Sequence, residues 1–336
     1  MCTLPVVVGL DYSDRSIQVC VLDQEGKVVG NRACANGWQA IVKFAESRGK
    51  VLRAAIESCS GAADLADELV MRAGWHVDLA HPGYVARMKQ SPDKTDYQDA
   101  RLVADLERVG YLPRVWLAPE PIRELRRLVR YRQQLVEQRK AIKLRIRALL
   151  REQRCRPAAA FNAWTRAWLL WVEKVAELSE QGAWIMARQL QELRRLLSEI
   201  HQVEKRLEQA TADDAMVAKL QQQPGIGPVT AWVLRAEIGR FDRFCTGKQL
   251  ARFCGVSPRN ASSGARMADA GLIRAASPSL RATIIEAAHR LIRTESRWAR
   301  LSAQLRARGK PTCVAVAAVA NRWIRKLYHQ MREEAA

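Results

Sequence analysis

The sequence lacks the features of a membrane, zinc-binding or disulfide-linked protein. No apolar stretch approaches the roughly 20 residues of a membrane-spanning helix, and the short apolar run at residues 6–10 ends at Asp11, so nothing resembles a signal peptide. The five histidines are scattered and the eight cysteines form no CxxC pair, which argues against a zinc site. We therefore expect reduced, mostly buried thiols in a cytoplasmic protein.

The charge of the chain is strongly one-sided. Its 336 residues carry 55 Lys and Arg against 35 Asp and Glu, a net charge of +20, and 48% of them are hydrophobic. This length and composition allow two or three domains with buried cores. A protein this basic usually binds a polyanion, and nucleic acid is favoured over the rival, a membrane surface.

Four carboxylates stand where a metal site would need them. Asp11 closes the apolar run at residues 6–10, and Glu57 closes another at residues 53–56. Asp96 and Asp99 are spaced i, i+3 at the start of a helical pattern, so both can point at one spot. Hard oxygen ligands suit Mg²⁺ or Mn²⁺, and two such ions can serve phosphoryl transfer. The alternative is that these are ordinary strand-end and N-cap acids.

The first third of the chain alternates strands and helices. Strands are predicted at residues 6–10, 17–22, from 28 onward, 53–57 and 77–80, and helices at 38–47 and 62–73. The order β-β-β-α-β-α-β, with acids ending strands one and four, is that of the ribonuclease H-like fold. We expect an α/β domain at residues 1–115.

The middle of the chain, residues 116–215, is predicted to form a basic helical coiled-coil region. Residues 122–156 hold thirteen Lys and Arg against three Glu, a net charge of +10. Apolar seams recur on two long helices, at Leu128, Leu135, Ile142 and Leu149, and at Leu190, Leu193, Leu197, Ile200 and Leu207. A one-signed face favours phosphate binding, by Arg126, Arg130, Lys140 and Lys143, over a merely solvated face. Trp164, Trp168 and Trp171 form a stripe that favours core packing over base stacking.

The last part, residues 216–336, is predicted to be short helices and loops. Gly225 and Gly227, in Pro224-Gly225-Ile226-Gly227, are typical of a helix-hairpin-helix turn whose amides approach a phosphate, the alternative being a simple helix-linking turn. Further on, Ser262-Ser263-Gly264 is by residue chemistry only a polar loop, since no nearby His or Asp forms a hydrolase triad.

Taken in order, these motifs resemble the IS-one-ten family of insertion-sequence transposases, also called DEDD transposases. The resemblance covers nearly the whole chain. It is carried by Gly9-Leu10-Asp11, Ile56-Glu57-Ser58, Lys94-Thr95-Asp96, Asp99-Ala100-Arg101, Pro224-Gly225-Ile226-Gly227, the block at residues 255–264, and Ser279-Leu280-Arg281. The chain departs from the family pattern at Arg274-Ala275-Ala276, where the family has Lys-x-Gly and only the positive charge is kept.

The resemblance implies a RuvC-like first domain with an Asp-Glu-Asp-Asp tetrad, a coiled coil, and a mostly helical C-terminal transposase domain with a nucleophilic serine. Carried over, the tetrad is Asp11, Glu57, Asp96 and Asp99, holding two Mg²⁺ or Mn²⁺ ions. The serine is Ser263, because it precedes a glycine and lies five residues after Pro258, with Ser262 as the neighbouring candidate. Arg274 and Arg281 join the nucleic-acid contacts.

The family also implies partners. A structured guide (bridge) RNA pairs with donor and target DNA, and the tetrad and serine meet between the subunits of a dimer, or of a tetramer, in a prokaryotic cytoplasm. Two alternatives remain open at this point. One is a RuvC-type metal-dependent endonuclease that uses water in place of serine, and the other is a non-enzymatic nucleic-acid-binding protein.

Overall fold

The computed structural model describes residues 4–89, 95–156, 162–260, 269–273 and 276–332. The chain divides into two compact units, Met1–Pro119 and Glu120–Ala336. The elements of the first unit are, in order, β1 Pro5–Tyr12, β2 Ser16–Leu22, β3 Val28–Ala35, α1 Trp38–Glu46, β4 Lys50–Glu57, α2 Ala62–Ala73, β5 Val77–Ala80, α3 Pro82–Val85, a 3₁₀ turn Ala86–Met88, α4 Asp96–Arg108 and β6 Arg114–Val115.

A six-stranded mixed sheet organises the described part of the first unit, in the order β3-β2-β1-β4-β5-β6. The central strands β1, β4 and β5 run parallel, whereas β2, β3 and β6 pair antiparallel with their neighbours. The predicted order β-β-β-α-β-α-β is confirmed, and the predicted bounds of α2 and β5 match the structure. The result is a mixed α/β unit, consistent with the expected ribonuclease H-like domain.

The two faces of β1 are covered differently. Its alternate residues Val6, Val8 and Leu10 enter a large apolar core with α1 and α2. Gly9, on the opposite face, is covered by α4 at very short range: a Cβ atom there would overlap the Ala100 carbonyl oxygen and lie 2.5 Å from the Ala104 nitrogen. Only a glycine on the strand and small residues on the helix allow this approach.

Helix α4 is held at both ends. Near its start, the Gln18 side chain donates to Asn31 Oδ1 at 2.6 Å, and Asn31 Nδ2 donates to the Tyr97 carbonyl at 3.1 Å. Near its end, buried Glu107 accepts two hydrogen bonds from Arg114, at 2.9 and 3.0 Å. Helix α4 is therefore fixed relative to the sheet along its whole length.

The second unit is mostly helical. Its elements are α5 Glu120–Glu152, α6 Arg166–Lys174, α7 Glu180–Ala210, α8 Ala215–Gln221, α9 Pro228–Ile238, α10 Gly247–Phe253, β7 Pro258–Asn260, β8 Asp269–Leu272, α11 Pro278–Thr294, α12 Ser296–Ala307 and α13 Thr312–Arg332. Strands β7 and β8 pair antiparallel. Over the residues that the structure describes, no helix combines the length and apolar character needed to cross a membrane.

The long helices α5 and α7 pack side by side and join one apolar core with the helices that follow. Leu135 and Ile142 of the predicted first seam are buried, and Trp168 and Trp171 lie in the same core, as their spacing predicted. The second seam was wrong at one position, since Leu197 is 41% exposed while Leu196 is fully buried. The buried row advances from Leu193 by three residues and then by four. Helices on both sides of residue 216 share this core, and the predicted boundaries at 115 and 215 stay predictions.

We predict that Gly9→Ala destabilises the first unit by about 1–3 kcal/mol, because the new methyl group must displace α4 from the sheet. The measurement is urea-dependent hydrogen exchange read on peptides from residues 5–57, so that only this unit is followed. Gly37→Ala is the matched control, since Gly37 has extended backbone (φ 171°) and a Cβ there meets only the Gln39 side chain at 3.6 Å. It should cost less than about 1 kcal/mol. Equal losses in both variants would show that α4 does not depend on the absence of a side chain at Gly9.

Candidate active site and nucleic-acid interface

The first two acids of the predicted tetrad end adjacent parallel strands. Strands β1 and β4 are in register from Gly9 opposite Ala55 to Leu10 opposite Ile56, so Asp11 and Glu57 are the next residues on each strand. Side chains alternate along a strand, which places both carboxylates on the face that carries Gly9 and Ala55. This is the face covered by α4.

The charges of this pair are felt by a neighbouring thiol. Partial burial raises the pKa of the Cys59 thiol, and the negative charges of Asp11 and Glu57 raise it further. Both carboxylates therefore lie close to the loop between β4 and α2. Two carboxylates that share one site repel each other unless a positive charge joins them.

The other two acids begin α4. Thr95 caps the helix, its hydroxyl accepting from the Gln98 amide at 3.3 Å, and Asp96 and Asp99 lie in the first turn. The last turn of α4 lies beside the first half of β4, since Arg53 Nη1 donates to Glu107 Oε1 at 3.5 Å. The helix thus runs antiparallel to β1 and β4, and its acidic first turn points toward the strand ends that carry Asp11 and Glu57.

Asp96 and Asp99 differ in their surroundings. Asp96 is exposed, whereas Asp99 is only 6% exposed. The Asp99 carboxylate forms an ion pair with Lys89, with Nζ and Oδ1 2.6 Å apart. A carboxylate this buried needs such a counter-charge, because desolvation of an unpaired anion is costly.

These residues meet the requirements of a divalent cation only in part. Asp11 and Glu57 supply oxygen donors of the kind that Mg²⁺ and Mn²⁺ prefer. Among the described residues, however, no three acidic, histidine or cysteine side chains come together as a ligand group. Asp99 is instead engaged by Lys89. The four acids are brought to one end of the sheet, but they do not form a complete metal site in this arrangement.

Two of the predicted phosphate contacts bind within the protein. Arg126 Nε donates to the Ala236 carbonyl at 2.6 Å, and Arg130 donates to both carboxylate oxygens of Glu237 at 3.1 and 3.2 Å. These groups form the last turn of α9, where the helix dipole favours cations. Burial also lowers the pKa of Arg126. The geometry gives both arginines a structural role, and their contact with nucleic acid stays a prediction.

Within the described residues, the basic side chains in the distal half of α5 and just after it, 139–156, lack the internal partners that Arg126 and Arg130 have. This segment holds eight Lys and Arg against one Glu. In the described chain, none of these basic side chains forms an ion pair with a carboxylate. Lys140 is exposed, while Lys143 lies 4.7 Å from the ring centre of Trp164, and burial lowers its pKa. At the tip, a pocket of about 860 Å³ is lined by Arg147, Arg151, Arg154 and Arg156.

The predicted hairpin precedes α9. Gly225 has a positive φ of 80°, and a Cβ there would meet Leu291 at 2.8 Å, so this glycine is required by backbone and packing alike. Gly227 is the N-cap of α9 and faces open space, which leaves its backbone accessible to a phosphate. Arg281 is half-buried beside Gly255. Ser262, Ser263 and Arg274 lie outside the described residues.

Sequence reasoning missed two sets of residues around the acids. Lys89 belongs to no recognisable motif. It pairs with Asp99 only because the chain after α3 and the 3₁₀ turn passes beside α4. Gln18 and Asn31 link the sheet to the first turn of α4. Gln18 pairs with Asp11 across β1 and β2, so polar residues opposite a predicted strand-end acid are a signal that could have found it.

Comparison with known proteins decides the family. A model described as a transposase, of the DEDD type of IS110 elements, matches residues 8–154. A second, described as the transposase IS116/IS110/IS902 family, matches residues 217–304. This chain belongs to the IS110 (IS-one-ten) family of transposases. The family membership expected from the motifs is therefore confirmed, and the alternative of a non-enzymatic nucleic-acid-binding protein is set aside. The DEDD family implies dependence on a divalent metal.

Three relatives, each described as a transposase, match this chain over most of its length. The transposase for insertion sequence element IS1111A of Coxiella burnetii is 26% identical over 93% of this chain and 86% of its own length. A probable family 20 transposase of Pseudomonas aeruginosa is 27% identical over 97% of both chains. The transposase for element IS1328 of Yersinia enterocolitica is 26% identical over 70% of this chain and 69% of its own.

We predict that the distal segment, more than the proximal half of α5, sets the salt dependence of DNA binding. A triple variant, Lys140→Gln, Arg147→Gln and Arg151→Gln, removes three unpaired charges and should flatten the log–log salt slope by up to about 2.7, at roughly 0.9 per phosphate contact. Fluorescence anisotropy on a DNA duplex at several salt concentrations measures it.

The contrasting pair is Arg126→Gln with Arg130→Gln. This variant should lose thermal stability, because the last turn of α9 loses its cations, while its salt slope stays close to that of the parent protein. A triple variant with an unchanged slope would show that the distal charges are merely solvated.

Proposed function

We propose that this transposase cuts and rejoins insertion-sequence DNA with an acidic tetrad and a serine nucleophile. The tetrad is Asp11, Glu57, Asp96 and Asp99 in a ribonuclease H-like (RuvC-like) unit, and the nucleophile is Ser263. One observation carries the proposal: Asp11 and Glu57 end adjacent parallel strands on the face covered by α4, whose first turn bears the other two acids. This arrangement of two strand-end acids beneath an acidic helix start favours a shared site over four unrelated strand-end and N-cap acids.

The tetrad would hold Mg²⁺ or Mn²⁺, as two ions. Bound there, the ions would polarise the scissile phosphate and neutralise developing negative charge. The chain itself supplies the site for them. Asp11 and Glu57 are fixed by the sheet, and Gln18, next to Asp11 across the strand pair, ties the sheet through Asn31 to the first turn of α4. This arrangement orients the acids before substrate arrives.

The proposed chemistry is a transesterification. The Ser263 hydroxyl gives up its proton, its Oγ forms a bond to phosphorus, and the phosphorus–oxygen bond to one strand end breaks, leaving that end as a hydroxyl that takes up a proton. The phosphoserine link keeps the energy of a phosphodiester, so a DNA hydroxyl can reverse the step and rejoin strands without ATP. Serine is a weak nucleophile at neutral pH, which is why it needs activation in such a site.

The partners we propose are donor and target DNA, a structured guide (bridge) RNA and a second copy of the chain, as a dimer or tetramer in a prokaryotic cytoplasm. Base pairing by the RNA would read sequence, which leaves the protein to bind backbones. The unpaired basic side chains of residues 139–156 and the open backbone at Gly227 support that division.

The tetrad is tested by Asp11→Ala and Asp99→Ala. Each variant should lose strand cleavage while retaining most of its nucleic-acid affinity, because the removed groups serve chemistry and the basic surfaces are distant in sequence. Chelation of divalent ions should give the same loss, reversed by adding Mg²⁺. Glu25→Ala, an exposed acid in the β2–β3 turn, is the matched control and should stay active. Full cleavage in the presence of a chelator would contradict the metal site.

The nucleophile is tested by Ser263→Ala. This variant should fold and bind nucleic acid but form no covalent adduct with DNA, whereas Ser262→Ala should keep much of its activity. A denatured reaction on nicked donor DNA, digested and analysed by mass spectrometry, locates the DNA-bearing peptide. An adduct on Ser262 would move the assignment by one residue. Recombination by the double variant would instead favour the RuvC-type endonuclease, in which water attacks the phosphate.

A further inference from the structure

The Asp99 carboxylate already has a cation beside it. Lys89 Nζ lies 2.6 Å from Asp99 Oδ1, and the two side chains are 25% and 8% exposed. A contact this short between mostly buried groups is a strong charge-assisted hydrogen bond. Asp99 has this partner in the first turn of α4, the turn that points toward the strand ends carrying Asp11 and Glu57.

Only one side of this ion pair can move easily. Asp99 precedes Ala100, whose carbonyl oxygen lies so close to Gly9 that a Cβ atom has no room between them. The carbonyl of Tyr97, two residues before Asp99, accepts a hydrogen bond from Asn31 on the sheet. The backbone that carries Asp99 is thus held at two points.

The Lys89 side chain is free to rotate away from Asp99. It follows the 3₁₀ turn Ala86–Met88 in extended backbone, outside any regular element. Its ammonium is carried on a four-carbon stem with freely rotating donors, and a quarter of the side chain reaches solvent. Rotation of the stem can withdraw the charge without displacing α4 or the sheet.

We propose that Lys89 is a positioning residue whose ammonium holds Asp99 in the ion-free protein and competes with a divalent cation for the same carboxylate. The inference rests on the proposed metal site. Loading the site would then be an exchange, in which Lys89 withdraws and Asp99, together with Asp11 and Glu57, would hold the cation. The positive charge beside Asp99 is maintained throughout, so the buried carboxylate is never left alone.

Mn²⁺ binding to the full-length protein without nucleic acid tests the exchange, measured by isothermal titration calorimetry. Lys89→Gln removes the competing charge and should bind Mn²⁺ roughly tenfold more tightly, within the range of coupling between residues in contact. Lys89→Arg keeps the charge and should bind no more tightly than the parent. Lys50→Gln is the matched control, an exposed lysine at the start of β4, roughly 23 Å from Glu57 along the strand, and should change nothing.

Thermal unfolding gives a second readout. Without Mn²⁺, Lys89→Gln should melt at a lower temperature than the parent, because Asp99 has lost its counter-ion, and saturating Mn²⁺ should remove this difference in melting temperature. In an Asp99→Asn background, Lys89→Gln should have no further effect on either measurement, as the coupling requires both charges.

The outcomes separate this inference from the proposed function. If the parent protein binds Mn²⁺ and Asp11→Ala abolishes that binding, but Lys89→Gln binds Mn²⁺ equally or more weakly, the competition is wrong and the metal site stands. If the parent binds no Mn²⁺ at all, the proposed metal site fails and the inference fails with it.

Discussion

The contact between α4 and β1 at Gly9 is the constraint on which the first unit depends. Because Gly9 has no side chain, the backbone of Ala100 and Ala104 can approach the sheet directly. The same contact fixes the position of α4 along β1, so its acidic first turn extends toward the end of the strand where Asp11 lies. A larger residue at Gly9 would move the acids of the helix away from those of the sheet. The absence of a Cβ atom at Gly9 therefore sets both the packing of α4 and the position of its acidic first turn.

The arginines of this transposase lie in two different settings. Arg126 and Arg130 of α5, with Arg235 and Arg243, bind carbonyl and carboxylate groups at the last turn of α9 and after it. All four place positive charge at this helix terminus, and Arg126 and Arg130 also join α5 to a helix more than one hundred residues further along the chain. The basic residues at 139–156 have no such partners in the described chain. Like-charged side chains kept close together without carboxylates raise the local potential, which attracts a phosphate backbone.

Much of the first unit could be predicted from the sequence, for physical reasons that are local. The strands at residues 6–10 and 17–22 alternate or run apolar, and α2 lies between clear turns, so each pattern determines its element. Leu197 shows what sequence periodicity cannot predict. It is adjacent to another leucine, Leu196, and only the rotation of α7 against α5 decides which of the two is buried. Arg126 could not be predicted as a structural residue because its partner, Ala236, is 110 positions away. Ser263 stays a prediction from motif spacing.

A buried acidic site has to remain folded before its ion arrives, and this shapes how it can be built. In many small metal-binding domains, the unfolded chain binds the ion and folds around it, so that the free energy of metal binding drives folding. Here Asp99 is buried with Lys89 as its cation, and Asn31 holds the first turn of α4 to the sheet. Neither contact needs an ion. The scaffold can therefore fold without a metal ion, and in the proposed exchange the replacement of one cation by another would leave the geometry of the acids unchanged.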